Sequence, residues 1–294
     1  MISSLGFEKI TVDNISSVGH NDIQVDVLRL DKINPVISGN KWFKLRYYLE
    51  EAATLHKKGI ATFGGAWSNH IIATAAACHN NGLKSIGIIR GEEPRQFSPT
   101  LIHAQELGMQ LIFITRDAYQ RKEIPASVES EDYYIVNEGG YGITGARGAS
   151  TILDYCHKSY SHYCCAVGTG TMMAGIINCS SPDQKVIGIT VMKNNTGLEE
   201  MVQALIVNKT TNWKIIHDYH FGGYAKHRPG LFGFMNEFYR LTNIPTDFVY
   251  TGKLFFAVSD LIDKNYFPAG SRLLLIHSGG LQGNESLFPG SLIF

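Results

Sequence analysis

The sequence has little that would commit it to a charged partner, a membrane or secretion. Lys and Arg together number 26, as do Asp and Glu, so the formal net charge is zero. This balance gives no electrostatic case for nucleic acid or an anionic membrane as the main partner. No apolar run is long enough to span a membrane, and the first eight residues lack the basic start of a signal peptide. We therefore expect a cytoplasmic protein with no nucleic-acid or membrane partner.

Cysteine is also scarce. The chain has five cysteines, an odd number, and none forms a Cys-x-x-Cys pair of the kind that binds metals. Cys164 and Cys165 are adjacent inside an apolar run, which is typical of reduced thiols in a core. The cysteines therefore predict neither a metal site nor a disulfide framework.

What the chain does have is a regular alternation of short apolar runs and helical patterns. We predict strands over residues 23–30, 59–63, 85–89, 110–114, 133–136, 163–167, 185–191 and 272–276. We predict helices over residues 42–56, 69–80, 100–107, 144–155, 171–178, 230–241 and 253–263, and loops over 119–132 and 210–213. Alternating strands and helices imply right-handed crossovers and parallel sheets, so the predicted fold class is α/β.

One short stretch predicts a reactive amine. Ser38-Gly39-Asn40 forms a small-residue turn, Lys41 opens an amphipathic helix, and Lys44 follows on the same face. The positive end of the helix dipole disfavours a charge on Lys41, and desolvation would lower its pKa further. Such a lysine can form a Schiff base. The alternative is an ordinary helix start with solvated lysines.

Glycine-rich turns follow several predicted strands. Gly168-Thr169-Gly170-Thr171 lies between a strand and a helix, where backbone N–H groups and hydroxyls can converge on an anion. It matches neither the G-x-G-x-x-G fingerprint nor a Walker loop, and a turn without a ligand is the alternative.

A second turn, Gly64-Gly65-Ala66-Trp67-Ser68-Asn69, also leads into a helix. Ser68 or Asn69 can simply cap that helix, or the Ser68 hydroxyl can receive a substrate carboxylate. Two further glycine pairs, Gly139-Gly140 and Gly279-Gly280, also follow apolar strands. Because open α/β sheets bind ligands at the carboxyl ends of their strands, the four turns predict one shared crevice.

Taken together, these segments resemble the pyridoxal-phosphate enzymes of the tryptophan-synthase-β type (fold type II). Within them the chain is similar to the D-cysteine desulfhydrase / 1-aminocyclopropane-1-carboxylate deaminase family. The segments that carry the resemblance, in chain order, are residues 39–45, 64–69, 168–175, 249–253 (Val-Tyr-Thr-Gly-Lys) and 277–280 (His-Ser-Gly-Gly).

The resemblance implies two domains, each built on an open twisted sheet. The larger would comprise residues 1–43 and 146–294, and the smaller residues 44–145. Pyridoxal 5′-phosphate would lie in the cleft between them, the substrate would be a small amino acid, and two copies of the chain would form a homodimer.

The resemblance also implies cofactor-binding roles. Lys41 would carry the internal aldimine and Lys44 would support the phosphate. Asn69 would hydrogen-bond the 3′-oxygen of the cofactor. The phosphate would be cradled by Gly168, Thr169, Gly170 and Thr171.

Catalytic roles are implied in the same way. Lys41 would move the proton at the substrate Cα, and Ser68 would hold the substrate carboxylate. Tyr250 and Tyr224 match active-site tyrosines. Trp67 and His70 flank Ser68 and are predicted to narrow or re-polarise the substrate pocket.

Two positions bear on the substrate. In the deaminases a glutamate that faces the pyridine nitrogen occupies the position of Thr251, and a leucine occupies that of Ser278. Here both are small hydroxyl residues, as in the desulfhydrases. We therefore expect β-elimination of D-cysteine to pyruvate, ammonia and hydrogen sulfide. The alternatives are deamination of 1-aminocyclopropane-1-carboxylate to 2-oxobutyrate, racemase or dehydratase activity on the same fold, and a non-catalytic protein that binds a phosphorylated small molecule.

Overall fold

The fold contains two β-sheets. The computed structural model describes residues 6–15, 22–207 and 212–294. In chain order, the strands of this part are β1 (Val12–Asn14), β2 (Gln24–Arg29), β3 (Gly59–Gly64), β4 (Lys84–Arg90), β5 (Met109–Ile114), β6 (Tyr133–Val136), β7 (His162–Val167), β8 (Lys185–Thr190), β9 (Trp213–Ile216) and β10 (Arg272–His277). They form a six-stranded sheet in the order β1-β2-β10-β7-β8-β9 and a four-stranded sheet in the order β5-β4-β3-β6.

Helices connect most of these strands. They are α1 (Asn40–Thr54), α2 (Asn69–Asn80), α3 (Pro99–Glu106), α4 (Arg116–Gln120), α5 (Ile143–Ser150), α6 (Thr171–Cys179), α7 (Leu198–Gln203), α8 (Pro229–Thr242) and α9 (Thr251–Asp263). The alanine-rich α2 starts where the Ser68 hydroxyl accepts hydrogen bonds from the backbone, and α3 starts at a proline after the capping residue Ser98. Both are favoured helix starts.

Strand pairing confirms the predicted α/β class. Strand β1 pairs antiparallel with β2, and every other neighbouring pair in the two sheets is parallel. Strand β7 is buried at every residue. Its alternate residues enter different core clusters: Cys165 and Val167 pack in one, and Cys164 and Ala166 in another. The larger sheet is therefore buried on both faces, as parallel sheets are.

Several short elements differ from the sequence-based prediction. Trp213, predicted as the end of a loop, begins strand β9, because the edge of β8 offers it a pairing partner at Val186. Residues 210 and 211 of that predicted loop lie outside the described residues, and residue 212 is in neither a helix nor a strand. The predicted loop 119–132 begins within α4, and β1 and α7 were not predicted.

The helix predicted over 144–155 is interrupted. The α-helix ends at Ser150, and a 3-10 helix follows from Thr151 to Tyr155. The Ser150 and Thr151 hydroxyls donate to the carbonyls of Arg147 and Gly148, both at 2.7 Å. Hydroxyl groups that bond to nearby backbone in this way compete with regular helix geometry.

The remaining features concern the cysteines, membrane-spanning helices and metal ligands. The five cysteines are free, and Cys78, Cys164 and Cys165 are buried. Within the described ranges, no helix combines the length and the apolar character needed to cross a membrane. In the same ranges no group of three or more His, Cys, Asp or Glu side chains could hold a metal ion. The domain boundaries at residues 44 and 145, the homodimer and the cytoplasmic location stay predictions.

The two sheets meet at their carboxyl edges. A Cβ on Gly139, after β6, would lie 2.9 Å from Thr169 Cγ2, after β7. A Cβ on Gly280, after β10, would lie 2.7 Å from the side-chain nitrogen of Asn69, after β3. Turns from the small sheet thus face turns from the large one, and together they line one crevice.

Candidate active site

Helix α1 begins in this crevice, at a turn that only glycine can make. Gly39 has φ +64°, and a Cβ there would lie 1.9 Å from the carbonyl oxygen of Ser278. The N–H of Asn40 donates to that same carbonyl at 3.2 Å. The close approach joins the turn that carries Lys41 to the turn that carries Ser278.

Lys41 is an amine in a desolvated setting. Its Nζ donates to Asn40 Oδ1 at 3.0 Å and lies 5.7 Å from the centre of the Tyr250 ring. Burial lowers the pKa of Lys41 to about 8, although the Asp247 carboxylate opposes the shift. At pH 7 about one Lys41 in ten is then neutral, against roughly one in 3,000 for an ordinary lysine. The amine is therefore suited to attack a carbonyl.

Lys44 lies one turn further along α1 and is only 4% exposed. Its Nζ donates to the carbonyl of Gly139 at 3.2 Å. Burial, together with the charge of Lys41, holds the pKa of Lys44 well below its usual range. The two lysines thus point into the same region and disfavour each other's charge.

The turn before α6 is built to expose backbone donors. Gly170 is left-handed at φ +82°, and the Oγ1 atoms of Thr169 and Thr171 lie 3.1 Å apart. A Cβ on Gly168 would lie 3.3 Å from the Tyr250 ring, so glycine leaves this wall open. Helix α6 is nine residues long, and its first N–H groups have no partner within the helix. An anion fits here.

The turn before α2 performs the capping role. Ser68 Oγ accepts from the N–H groups of His70 at 3.2 Å and Ile71 at 3.4 Å. Within the described ranges, the Ser68 hydroxyl donates to no group and the Asn69 amide has no hydrogen-bond partner, although Asn69 faces Gly280 across the crevice. Both groups are available to a ligand.

The His70 ring is fixed in one tautomer. The Thr62 hydroxyl donates to the Val136 carbonyl at 2.8 Å, so its contact of 2.9 Å with His70 Nε2 requires that nitrogen to be the donor. Nδ1 is then a buried acceptor, with no partner among the described residues. Burial and the charges of Lys41 and Lys44 hold the pKa of His70 well below its usual range. His70 is therefore neutral and adds no charge beside Ser68, whereas Trp67 is exposed.

Two tyrosines close the crevice on the side of α9. The rings of Tyr224 and Tyr250 meet edge to face, with centroids 6.1 Å apart. Burial and the neighbouring Tyr224 raise the pKa of Tyr250 well above its usual range. Tyr224 is 42% exposed, so it lies at the mouth of the crevice.

Asp247 is a site feature that the sequence analysis missed. Its Oδ1 accepts from the N–H and the hydroxyl of Thr251, at 2.8 and 2.7 Å, and its Oδ2 accepts from the N–H groups of Val249 and Tyr250. The carboxylate is fully buried, and burial raises its pKa. An aspartate before a predicted helix was the available signal, but Asp247 lies six positions before the predicted helix start at Lys253 and four before the observed start at Thr251.

The predicted site residues therefore lie in one crevice. Contacts link them from α1 through the turns at Gly139, Gly168 and Ser278 to the start of α9. The roles implied for them at the sequence level stay predictions.

Comparison with known proteins identifies the family. The family model described as pyridoxal-phosphate dependent enzyme matches residues 17–279. A Thermotoga maritima protein named "Putative 1-aminocyclopropane-1-carboxylate deaminase" is 29% identical over 284 residues, covering 87% of this chain and 88% of that protein. The D-cysteine desulfhydrase of Salmonella typhi is 24% identical over 290 residues, covering 89% and 88% of the two chains.

A solved structure shares the fold. The crystal structure of an ACC deaminase homologue aligns with a TM-score of 0.84 at 23% identity, covering 96% of this chain and 92% of that one. The two-sheet architecture therefore matches that of fold type II enzymes.

The crevice fits pyridoxal phosphate on its own residues. A phosphate needs convergent donors, which the start of α6 offers through its free N–H groups and the hydroxyls of Thr169 and Thr171. An aldehyde needs an amine with a lowered pKa, which Lys41 supplies. The Asn69 amide, which has no hydrogen-bond partner in the part of the chain that the structure describes, suits a ring oxygen. The match over 263 consecutive positions and this fit agree: the chain belongs to the family of pyridoxal-phosphate dependent enzymes.

Proposed function

We propose that this enzyme catalyses β-elimination on a small amino acid and that D-cysteine is its substrate. The products would be pyruvate, ammonia and hydrogen sulfide. The observation that carries the substrate choice is Thr251, a fully buried hydroxyl residue directly after Tyr250. Without an acidic side chain at this position, the pyridine nitrogen is less strongly held protonated. Loss of a thiolate, a good leaving group, demands less of the cofactor than opening a cyclopropane ring does.

In this proposal the cofactor is held by residues from both sheets. Lys41 would hold it covalently, the 168–171 turn would hold its phosphate with help from Lys44, and Asn69 would bond its ring oxygen. When bound, the cofactor spreads the negative charge that develops at the substrate Cα. Ser68 donates its free hydroxyl hydrogen to the substrate carboxylate.

Lys41 and Tyr250 divide the proton transfers. Because the pKa of Lys41 is near 8, its amine is neutral often enough at neutral pH to take the Cα proton. The pKa of Tyr250 is raised, so this hydroxyl keeps its proton and suits a donor to the leaving sulfur. Burial thus pushes the two pKa values apart, downward for Lys41 and upward for Tyr250, which supports Lys41 as the base and Tyr250 as the acid.

A second candidate, deamination of 1-aminocyclopropane-1-carboxylate, is favoured by Asp247. The Thr251 hydroxyl donates to Asp247 Oδ1 and accepts from the Asp247 N–H at 2.8 Å. A buried carboxylate is therefore hydrogen-bonded to Thr251. Its negative charge would help to keep the pyridine nitrogen protonated, so that the cofactor ring accepts negative charge more readily. The relatives named for this deaminase are also slightly more similar, at 26–29% identity against 24%.

An assay of purified enzyme with added pyridoxal phosphate separates the candidates. We expect D-cysteine to release sulfide and pyruvate in equal amounts, and 1-aminocyclopropane-1-carboxylate to release little 2-oxobutyrate. Strong 2-oxobutyrate release without sulfide would replace the proposal by its rival. Pyruvate from D- or L-serine, with no sulfide from D-cysteine, would indicate a dehydratase.

A further inference from the structure

Three residues at the start of α9, one of them the residue just before the helix, all contact the same turn. Tyr250, Lys253 and Phe256 are spaced by three, so they lie side by side at the start of the helix. The turn lies between β9 and α8. Tyr224 packs against Tyr250, and Phe221 packs edge to face on Phe256 with ring centroids 4.9 Å apart.

Lys253, between the two aromatic contacts, is fully buried. Its Nζ donates to the carbonyl of His220 at 2.9 Å and to the carbonyl of Gly223 at 2.8 Å. No carboxylate lies within ion-pair distance of Lys253 in the ranges that the structure describes. Burial lowers the pKa of Lys253 to about 8, opposed by the more distant Asp247.

The turn itself is conformationally unfavourable. Phe221 and Ala225 have φ +53° and +50°, left-handed values that side chains with a Cβ rarely adopt, and Gly222 and Gly223 are also at positive φ. Left-handed backbone is unfavourable for residues with a Cβ, because the Cβ crowds the following carbonyl oxygen. The chain keeps this conformation only where the surroundings hold it, and the two carbonyl bonds from Lys253 do so on both sides of the strained Phe221.

Stability alone is a poor reason for this lysine. Burying an ammonium group that has only neutral carbonyl partners is costly, and a methionine of similar length would fill the same space without that cost. What the lysine provides is a fixed distance between α9 and the two carbonyls that precede Tyr224.

We propose that Lys253 is a positioning residue that holds Tyr224 against Tyr250 at the mouth of the active site. It acts through the backbone of residues 220–223 and touches neither substrate nor cofactor. The effect on turnover rests on the proposed function, whereas the effect on the turn does not.

Hydrogen exchange on the cofactor-loaded protein tests the structural half. In Lys253→Met we expect the amides of Gly223 and Lys226, which bond to the carbonyls of His220 and Gly223, to exchange at least about tenfold faster. The matched control is Lys226→Met, which removes the same charge from an exposed position of the same turn and should leave the exchange of the Gly223 amide unchanged. Unchanged exchange in Lys253→Met would overturn the proposal. If that variant does not fold, Lys253→Gln, with an amide too short to reach both carbonyls, takes its place with the same expected result.

A double-mutant cycle tests the catalytic half. Using the amino acid that releases keto acid fastest, Lys253→Met should lower kcat/KM about 100-fold, since a misplaced group costs about that much. Adding Tyr224→Phe to Lys253→Met should lower it no further, because Tyr224 is already displaced. Independent, multiplicative losses would show that Lys253 does not act through Tyr224 and would overturn the proposal. If the wild type turned over no amino acid while Lys253→Met still showed faster exchange, the proposed function would be refuted. The positioning role of Lys253 would remain supported.

Discussion

The amine of Lys41 lies 5.7 Å from the centre of the Tyr250 ring, although 209 positions separate the two residues in the chain. The contact brings the start of α1 to the start of α9, across the carboxyl edge of the larger sheet. Both side chains are partly buried, and desolvation lowers the pKa of Lys41 while it raises the pKa of Tyr250. In the proposed function the pair would supply a base and an acid at neutral pH.

Replacing Lys41 should remove catalysis and spare the fold. We expect Lys41→Ala to lower turnover at least about 1,000-fold, because it removes both the covalent attachment and the base. The unfolding midpoint should stay within a few degrees of the wild type, since the amine is costly to bury. Borohydride reduction of the wild-type holoenzyme, followed by peptide mapping, should place the cofactor on Lys41. A label on Lys44, or unfolding of Lys41→Ala, would contradict the assignment.

The pKa of Lys41 predicts a pH profile for cofactor capture. The neutral amine reacts and the ammonium does not, so the rate rises as pH passes upward through the pKa. We expect half-maximal capture of pyridoxal phosphate by the cofactor-free protein near pH 8, measured by the visible absorbance of the adduct. A midpoint above pH 10 would mean that Lys41 is solvated. Lys41→Ala serves as the blank.

Much of the architecture could be predicted from the sequence. Apolar runs with helical patterns between them located eight of the ten strands and seven of the nine α-helices of the described residues. Glycine-rich turns marked the Lys41, Ser68 and 168–171 segments as candidate sites, whose roles came from the family resemblance. The short elements were not predicted because neighbouring elements stabilise them. Trp213 follows polar residues in the sequence and joins a strand only because it pairs with β8. Asp247 and Lys253 escaped for a related reason, since their partners lie in other segments or at unusual spacing.

The glycine at position 139 offers a test of the crevice wall with a close control. Gly139 and Gly82 have nearly the same φ, +66° and +67°, so alanine at either position costs about 1 kcal/mol of backbone strain. Only at Gly139 would the new Cβ meet another residue, Thr169, at 2.9 Å; nothing lies within 4 Å of it at Gly82. We expect Gly139→Ala to weaken pyridoxal-phosphate binding about tenfold or more, since a small misplacement of the 168–171 turn is costly. Gly82→Ala should lose similar stability and keep its affinity. The affinities are measured by titrating the cofactor-free proteins with pyridoxal phosphate. If Gly139→Ala and Gly82→Ala bound it equally well, the 168–171 turn would not be part of the cofactor site.

The Thr251 hydroxyl should matter to stability because it is used twice. It donates to Asp247 Oδ1 at 2.7 Å and accepts from the Asp247 N–H at 2.8 Å, and both residues are fully buried. Thr251→Val keeps the shape but leaves that N–H without an acceptor, which should cost about 1–3 kcal/mol of unfolding free energy in a denaturant titration. Thr251→Ser keeps both bonds and loses only a methyl group, so it should cost about 1 kcal/mol. If the two variants were equally stable, the hydroxyl would not be held by Asp247, and the buried carboxylate would lose its link to the active site. With the link intact, Thr251→Ser should also keep the wild-type absorbance of the bound cofactor, whereas Thr251→Val should shift it.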